Sequence, residues 1–156
     1  MTTEQPNVQT TAGQAQMKAM GIKPIPAPDA LTAPYWEGAK RHELLMQHCT
    51  ACGNLQFPPE AACYSCGGSK LDWQKVSGNG VIHSFIIDHR LMTPGFNEPY
   101  VVAQVRPVEA KNQDAIITTN IRDCPLDEVK MDMPVEVVFE DLPQGVTLPQ
   151  FRPRRK

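Results

Sequence analysis

The stretch His48-Cys49-Thr50-Ala51-Cys52-Gly53-Asn54-Leu55-Gln56-Phe57-Pro58-Pro59-Glu60-Ala61-Ala62-Cys63-Tyr64-Ser65-Cys66-Gly67 decides how this chain is read. It contains two C-x-x-C-G motifs with ten residues between the pairs. Two intervening residues let both thiolates of a pair converge on one ion at about 2.3 Å, and glycine after the second cysteine admits the left-handed backbone that completes such a knuckle. Cys49, Cys52, Cys63 and Cys66 together fill a tetrahedral shell. No position is left for water or substrate, so the expected ion is structural, one zinc per chain. Iron accepts the same four ligands and is the competing cofactor. His48 adjoins the first pair and reads as a strand residue beside the knuckle, because four cysteines suffice.

Bulk properties limit what surrounds this centre. A chain of 156 residues accommodates one compact core and a small appended module, and excludes two large domains. With 15 prolines and 6% aromatics, many extended segments and bends are expected. The formal net charge of -2 offers no field to attract a polyanion, which argues against a general nucleic-acid binder. Met1 to Thr11 lack a basic n-region, and no apolar run approaches the roughly 20 residues of a membrane span, so a cytoplasmic location without membrane contact is expected. Thiols stay reduced there, and paired cysteines read as ligands before disulfides.

Outward from the knuckles, the chain divides into three parts. Residues 1–32 read as a flexible tail with a short helix around Gly13 to Met20, ended by Gly21 and the series Pro24, Pro26, Pro28. Residues 33–72 read as a docking helix and the metal ribbon. Thr32 is the expected N-cap, Pro34 sits just inside, and Tyr35, Trp36, Ala39, His42 and Glu43 follow. Trp36 is read as packing against its own domain, with an aromatic anchor at an interface as the rival reading. Leu44 to Phe57 forms a strand, a knuckle and a returning strand, and the second knuckle spans Cys63 to Gly68.

Residues 73–156 read as a barrel with a basic tail. Its strands are Val81 to His89, Tyr100 to Val105, Ala115 to Ile121, Val135 to Phe139 and Gly145 to Phe151. Strict alternation puts Val81, His83, Phe85, Ile87 and His89 on one face of the first strand, and Ile82, Ser84, Ile86 and Asp88 on the other, implying burial on both sides. Asp123 to Val129 is suited to a helical turn that plugs one end. Five strands with a plug between the third and fourth predict an OB-type barrel, so the fold class is mainly β, with a helical segment and a zinc ribbon ahead of the barrel.

No catalytic constellation is assembled by the remaining residues. Cys124 precedes Pro125 and reads as a small buried apolar residue. His83 and His89 are about 20 Å apart along a strand, too far for joint ligation. Gly78-Asn79-Gly80 is a turn, since no Lys-Ser or Lys-Thr follows it as in a phosphate loop.

The order of parts carries a resemblance. Pro34-Tyr35-Trp36, two C-x-x-C-G knuckles flanking Phe57-Pro58-Pro59, Trp73, Gly78-Asn79-Gly80-Val81-Ile82, Pro99-Tyr100-Val101-Val102-Ala103 and Pro134-Val135-Glu136-Val137 together resemble the DUF35 family, over roughly Ala33 to Pro153. Where the family has a turn glycine after Pro107, this chain has Glu109-Ala110-Lys111-Asn112. The resemblance implies a rubredoxin-like zinc ribbon followed by a five-stranded OB-fold. It also implies a non-catalytic subunit that binds a thiolase, a hydroxymethylglutaryl-CoA synthase-like enzyme or a lipid-transfer-type aldolase, in breakdown of an aromatic, steroid or other acyl-CoA. On that footing His89, Arg90, Arg152 and Arg154 are candidate contacts to coenzyme A phosphates, and Tyr35 and Trp36 candidate partner contacts. Two other classes use the same parts: a single-stranded nucleic-acid module, which wants a basic groove with stacking aromatics, and an electron carrier with iron at the four cysteines.

Overall fold

The computed structural model describes residues 24–90, 95–96, 98–111 and 114–155. The expected N-terminal tail, the helix around Gly13 to Met20 and the terminal Lys156 lie outside the described residues.

Helix α1 spans Ala33–Lys40. Pro34 lies in its first turn, where a missing N–H costs nothing. Thr32 does not cap with its own side chain. Instead Asp29 Oδ1 accepts the Thr32 N–H and hydroxyl, each at 2.7 Å, and Thr32 Oγ1 accepts the Asp29 N–H at 3.0 Å. The Thr32 hydroxyl, helped by backbone N–H groups, holds the Asp29 carboxyl below its ordinary value. The helix stops before His42, short of the expected Glu43, because His42 turns the chain at φ +56°. The His42 ring then stacks on Phe139 at 5.1 Å, with Nε2 3.1 Å from both oxygens of Asp141.

The ribbon is a three-stranded antiparallel sheet in the order β2-β1-β3, formed by β1 (Leu45–Cys49), β2 (Leu55–Gln56) and β3 (Leu71–Lys75). Trp73 stands opposite Gln47 in this sheet, and the first barrel strand begins at Asn79. The barrel contains β4 (Asn79–Asp88), β5 (Tyr100–Pro107), β6 (Ile117–Ile121), β7 (Pro134–Asp141) and β8 (Thr147–Pro153), closed in the order β4-β5-β6-β8-β7. All five strands lie where alternation predicts them, and a 3-10 turn at Leu126–Glu128 falls between the third and fourth.

The faces of β4 differ from expectation. A bulge at His83 shifts the register between Ile82 and Ser84, so that Ile82, Phe85 and Ile87 all oppose inward residues of β5, namely Val105, Ala103 and Val101. Ile86, expected to be buried, is 64% exposed, and His83 is exposed as well. The bulge adds the bend that a barrel strand needs while keeping the apolar set inside.

Ribbon and barrel share a core. Tyr35, Leu44, Met46 and Leu55 belong to the same buried cluster as Ile82, Val101, Val105, Ile117, Val135 and Phe151. Each such side chain contributes roughly 1.5–3 kcal/mol on burial. Closure between β6 and β8 is narrow, with Ile121 and Phe151 as its parallel pair. The Arg122 N–H donates to Phe151 O at 2.7 Å and the Thr119 hydroxyl to Pro149 O at 3.1 Å, extending the seam by other means. Helix α1 lies over it, with Tyr35 and Trp36 lining a cleft of about 160 Å³ against Thr118, Asn120, Leu148 and Gln150.

Candidate metal centre

Each knuckle is built by the same backbone bonds. The Gly53 N–H donates to Cys49 O at 2.8 Å, and the Gly67 N–H donates to Cys63 O at 2.9 Å. The Cys49 N–H closes onto Asn54 O, and the Cys63 N–H onto Gly68 O, both at 2.8 Å. Gly53 and Gly67 have φ of +75° and +70°, the left-handed conformation that the C-x-x-C-G pattern predicts. The knuckles face each other, so that Cys49 and Cys66 stand 3.7 Å apart, Cys52 and Cys63 3.6 Å, and all four sulfurs lie within 4.8 Å of one another.

These distances fit a thiolate cage. Sulfur atoms bound tetrahedrally at about 2.3 Å to one ion stand about 3.8 Å apart, whereas a disulfide requires about 2.05 Å. Charge points the same way. The backbone N–H of Cys66, with those of Ser65 and the neighbouring thiols, holds Cys63 down to about 6 against the opposing effect of burial. At Cys52 the Asn54 backbone N–H also pulls down, but burial and the other three thiols outweigh it and push the value up to about 12. Four thiolates so close need a cation to ionise together. Cys49, Cys52, Cys63 and Cys66 would hold that cation as a structural cross-link between the two knuckles, with a full shell.

A polar network that sequence reading did not single out braces the cage. Gln47 and Gln56 are buried on facing strands, and Gln56 Nε2 donates to Gln47 Oε1 at 2.6 Å. Gln47 accepts the Glu60 N–H and donates to Glu60 O, both at 2.9 Å, while Gln56 accepts the Tyr64 N–H at 2.9 Å. These bonds shape the loop between the knuckles. Polar residues inside an otherwise apolar hairpin were the signal for it.

The other candidates do not converge. His89 and Arg90 follow the end of β4, where the Arg90 N–H donates to Asp88 Oδ1 and the Tyr100 hydroxyl to Asp88 Oδ2. Arg152 lies at the other end of the ten-residue β4, about 30 Å away along the strand, beside Glu136 and Asn79. Its guanidinium donates to Glu136 Oε1 at 2.8 Å. The Arg154 N–H donates to Pro134 O at that same end. Tyr35 is 6% exposed, and its ring packs on Trp36 and Phe57 at 5.0 Å, within the core of this chain. Burial pushes its phenol well above the ordinary value. Trp36 is half-buried against the same core. A cleft of about 490 Å³ at one end of the barrel is lined by Phe96, Tyr100, Asn120, Arg122, Asp123 and Cys124 among others, and by none of the four basic candidates. Arg122 there is engaged by Gln150 Oε1 at 3.0 Å and Glu140 at 3.4 Å. Among the described residues, no helix is long and apolar enough to cross a membrane.

Comparison with known proteins places this architecture. Residues 36–72 match the family model described as the ChsH2 rubredoxin-like zinc ribbon domain, and residues 73–140 the ChsH2 C-terminal OB-fold domain. The chain is 34% identical over 140 residues to a probable enoyl-CoA hydratase alpha subunit of Thermomonospora curvata, covering 90% of this chain but 43% of that protein. It therefore spans less than half the length of that curated relative. A DUF35 domain-containing scaffold protein of Methanothermobacter thermautotrophicus is 37% identical over 103 residues, covering 64% of this chain and 74% of the relative. Among solved structures, a chain of the Ltp2-ChsH2(DUF35) aldolase superposes with a TM-score of 0.74 at 34% identity, covering 83% of this chain and 98% of that one. With ribbon and barrel matched in order and in space, the chain belongs to the DUF35 family, in the ChsH2 form of a rubredoxin-like zinc ribbon joined to an OB-fold.

Proposed function

We propose that this chain is a non-catalytic, zinc-binding accessory subunit that assembles with a thiolase-like or lipid-transfer-type aldolase enzyme and supports turnover of an acyl-CoA in the cytoplasm. The observation that carries the reading is the superposition on 98% of a chain of the Ltp2-ChsH2 aldolase, which takes in ribbon and barrel together. The chemistry of this chain agrees with it. A four-thiolate cage has no open position for substrate. At Cys124, burial and the Glu128 and Asp127 carboxylates push the thiol up, which keeps it protonated and a poor nucleophile. The reacting groups then belong to the partner.

Zinc is the ion assigned to the cage, and metal analysis with an absence of visible absorption separates it from iron. For coenzyme A, the exposed side chains of His89 and Arg90 are better placed than Arg152, where a phosphate would have to displace Glu136. A complex in which acyl-CoA leaves His89 and Arg90 unperturbed would remove that assignment and leave the scaffold role standing.

A second reading, with an enoyl-CoA hydratase as partner, draws on the 34% identity to the hydratase alpha subunit. Co-expression with a thiolase-like, an aldolase or a hydratase chain of the same organism tests both readings. A stable hetero-oligomer with one of them, active only when assembled, is the expected result. Enzymes that are soluble and fully active alone would overturn the accessory role.

A further inference from the structure

Asn54 is the residue at which the cage meets the barrel, and it is 8% exposed. Its backbone carbonyl accepts the Cys49 N–H at 2.8 Å, its backbone N–H donates to Cys52, and its Nδ2 donates to Cys63 Sγ at 4.0 Å. The same Nδ2 donates to Asp114 Oδ2 at 3.0 Å, on the segment that leads into β6. Two backbone ties run beside it. The Phe57 N–H donates to Asp114 O at 2.8 Å, and Phe57 forms a parallel bridge with Ala115. A primary amide offers two hydrogens from one uncharged nitrogen, so it can serve a thiolate and a carboxylate together. Aspartate there would set a further negative charge between the two acceptors.

We infer that Asn54 and Asp114 form a strut that couples retention of the metal to the seating of the ribbon on the barrel. Asp114 is outside the four-cysteine ligand group, yet it fixes the amide that donates to a ligand sulfur. The amide is thus held between a ligand sulfur on one side and the Asp114 carboxylate on the other. Coupling of this kind is reciprocal: loosening the ribbon–barrel contact speeds metal loss, and metal loss loosens that contact. The inference rests on the metal reading of the cage and is independent of which enzyme the chain assembles with.

The test uses the full zinc-loaded chain and the variants Asn54→Ala, Asp114→Ala and Glu136→Ala, the last altering the barrel surface elsewhere. Zinc transfer to a chromophoric chelator is timed, and exchange of the Phe57 amide is followed with and without zinc. Asn54→Ala and Asp114→Ala are each expected to speed zinc transfer by about tenfold or more, the double variant no faster than Asn54→Ala alone, and Glu136→Ala to match the wild type. Zinc removal is expected to accelerate exchange at Phe57 while the Ile82 amide, bonded to Met133 O within the barrel, stays protected. If Asn54→Ala does not fold, Asp114→Ala decides alone. Wild-type zinc transfer in Asp114→Ala, or a Phe57 amide indifferent to zinc, overturns the strut. A wild-type chain that takes up no zinc overturns the metal reading and the strut with it.

Discussion

Gly78 sits where the ribbon hands over to the barrel, at φ +80°, and an added Cβ there would collide with Val137 Cγ1 and lie 3.3 Å from Val137 Cβ. Gly78→Ala therefore meets two separate costs. A left-handed backbone costs an L-residue about 1–2 kcal/mol, and forcing a methyl into a packed site costs about 1–3 kcal/mol more. Restriction of the unfolded chain returns about 0.4–1 kcal/mol. The net loss is about 1–4.6 kcal/mol. Gly145 has nearly the same φ, +77°, with nothing among the described residues within 4 Å of an added Cβ, so Gly145→Ala isolates the backbone contribution. Urea unfolding of the zinc-loaded proteins, followed by Trp36 and Trp73 fluorescence, should show Gly78→Ala less stable than Gly145→Ala by about 1–3 kcal/mol at unchanged m. Adding Val137→Ala to Gly78→Ala should cost less than it does in the wild type, because it removes the obstructing methyls. A difference between the two glycine variants below about 0.5 kcal/mol would show that Val137 yields freely, and would refute the steric argument.

Phe151 is fully buried at the β6–β8 closure, and Phe151→Ala should lower stability by about 3–5 kcal/mol in a thermal or urea melt. Cys49→Ser should abolish stoichiometric zinc and partner assembly together, while Cys124→Ser keeps one zinc per chain by metal analysis. Asp141 is held below its ordinary 3.8 by the Thr147 hydroxyl first and then by His42. A depressed carboxyl stabilises the fold above its ordinary value and loses that contribution as pH falls through the lowered one, so Asp141→Asn should flatten the acid limb of a stability–pH curve below 3.8.

The knuckles and the barrel strands were legible because their signals are local. A C-x-x-C-G motif carries its own backbone geometry, and five alternating segments separated by glycine and proline carry their own pairing. What escaped was set by contacts distant in sequence. Alternation along β4 gave the wrong faces beyond Ile82, since a bulge at His83 leaves no mark in the residue types. The burial of Tyr35 could not be read from the helix start alone, because it depends on Phe57, 22 residues later. The four basic candidates form a group only on the footing of the resemblance; the topology sets His89 and Arg90 at one end of β4 and Arg152 and Arg154 at the other. Asn54 was hidden for a similar reason, as its importance comes from Asp114, 60 residues on.

Among the described residues, the narrow β6–β8 closure leaves lengths of two strands without a neighbour in the ladder, and bare strand edges invite the same edges on other molecules. Helix α1 covers them, with Tyr35 and Trp36 over Thr118, Asn120 and Leu148, while Pro149 and Pro153 in β8 withhold N–H donors. The helix thus acts as a guard against self-adhesion as well as a packing element. A chain cut between α1 and β1 would lose little of its barrel pairing and gain a surface prone to polymerise.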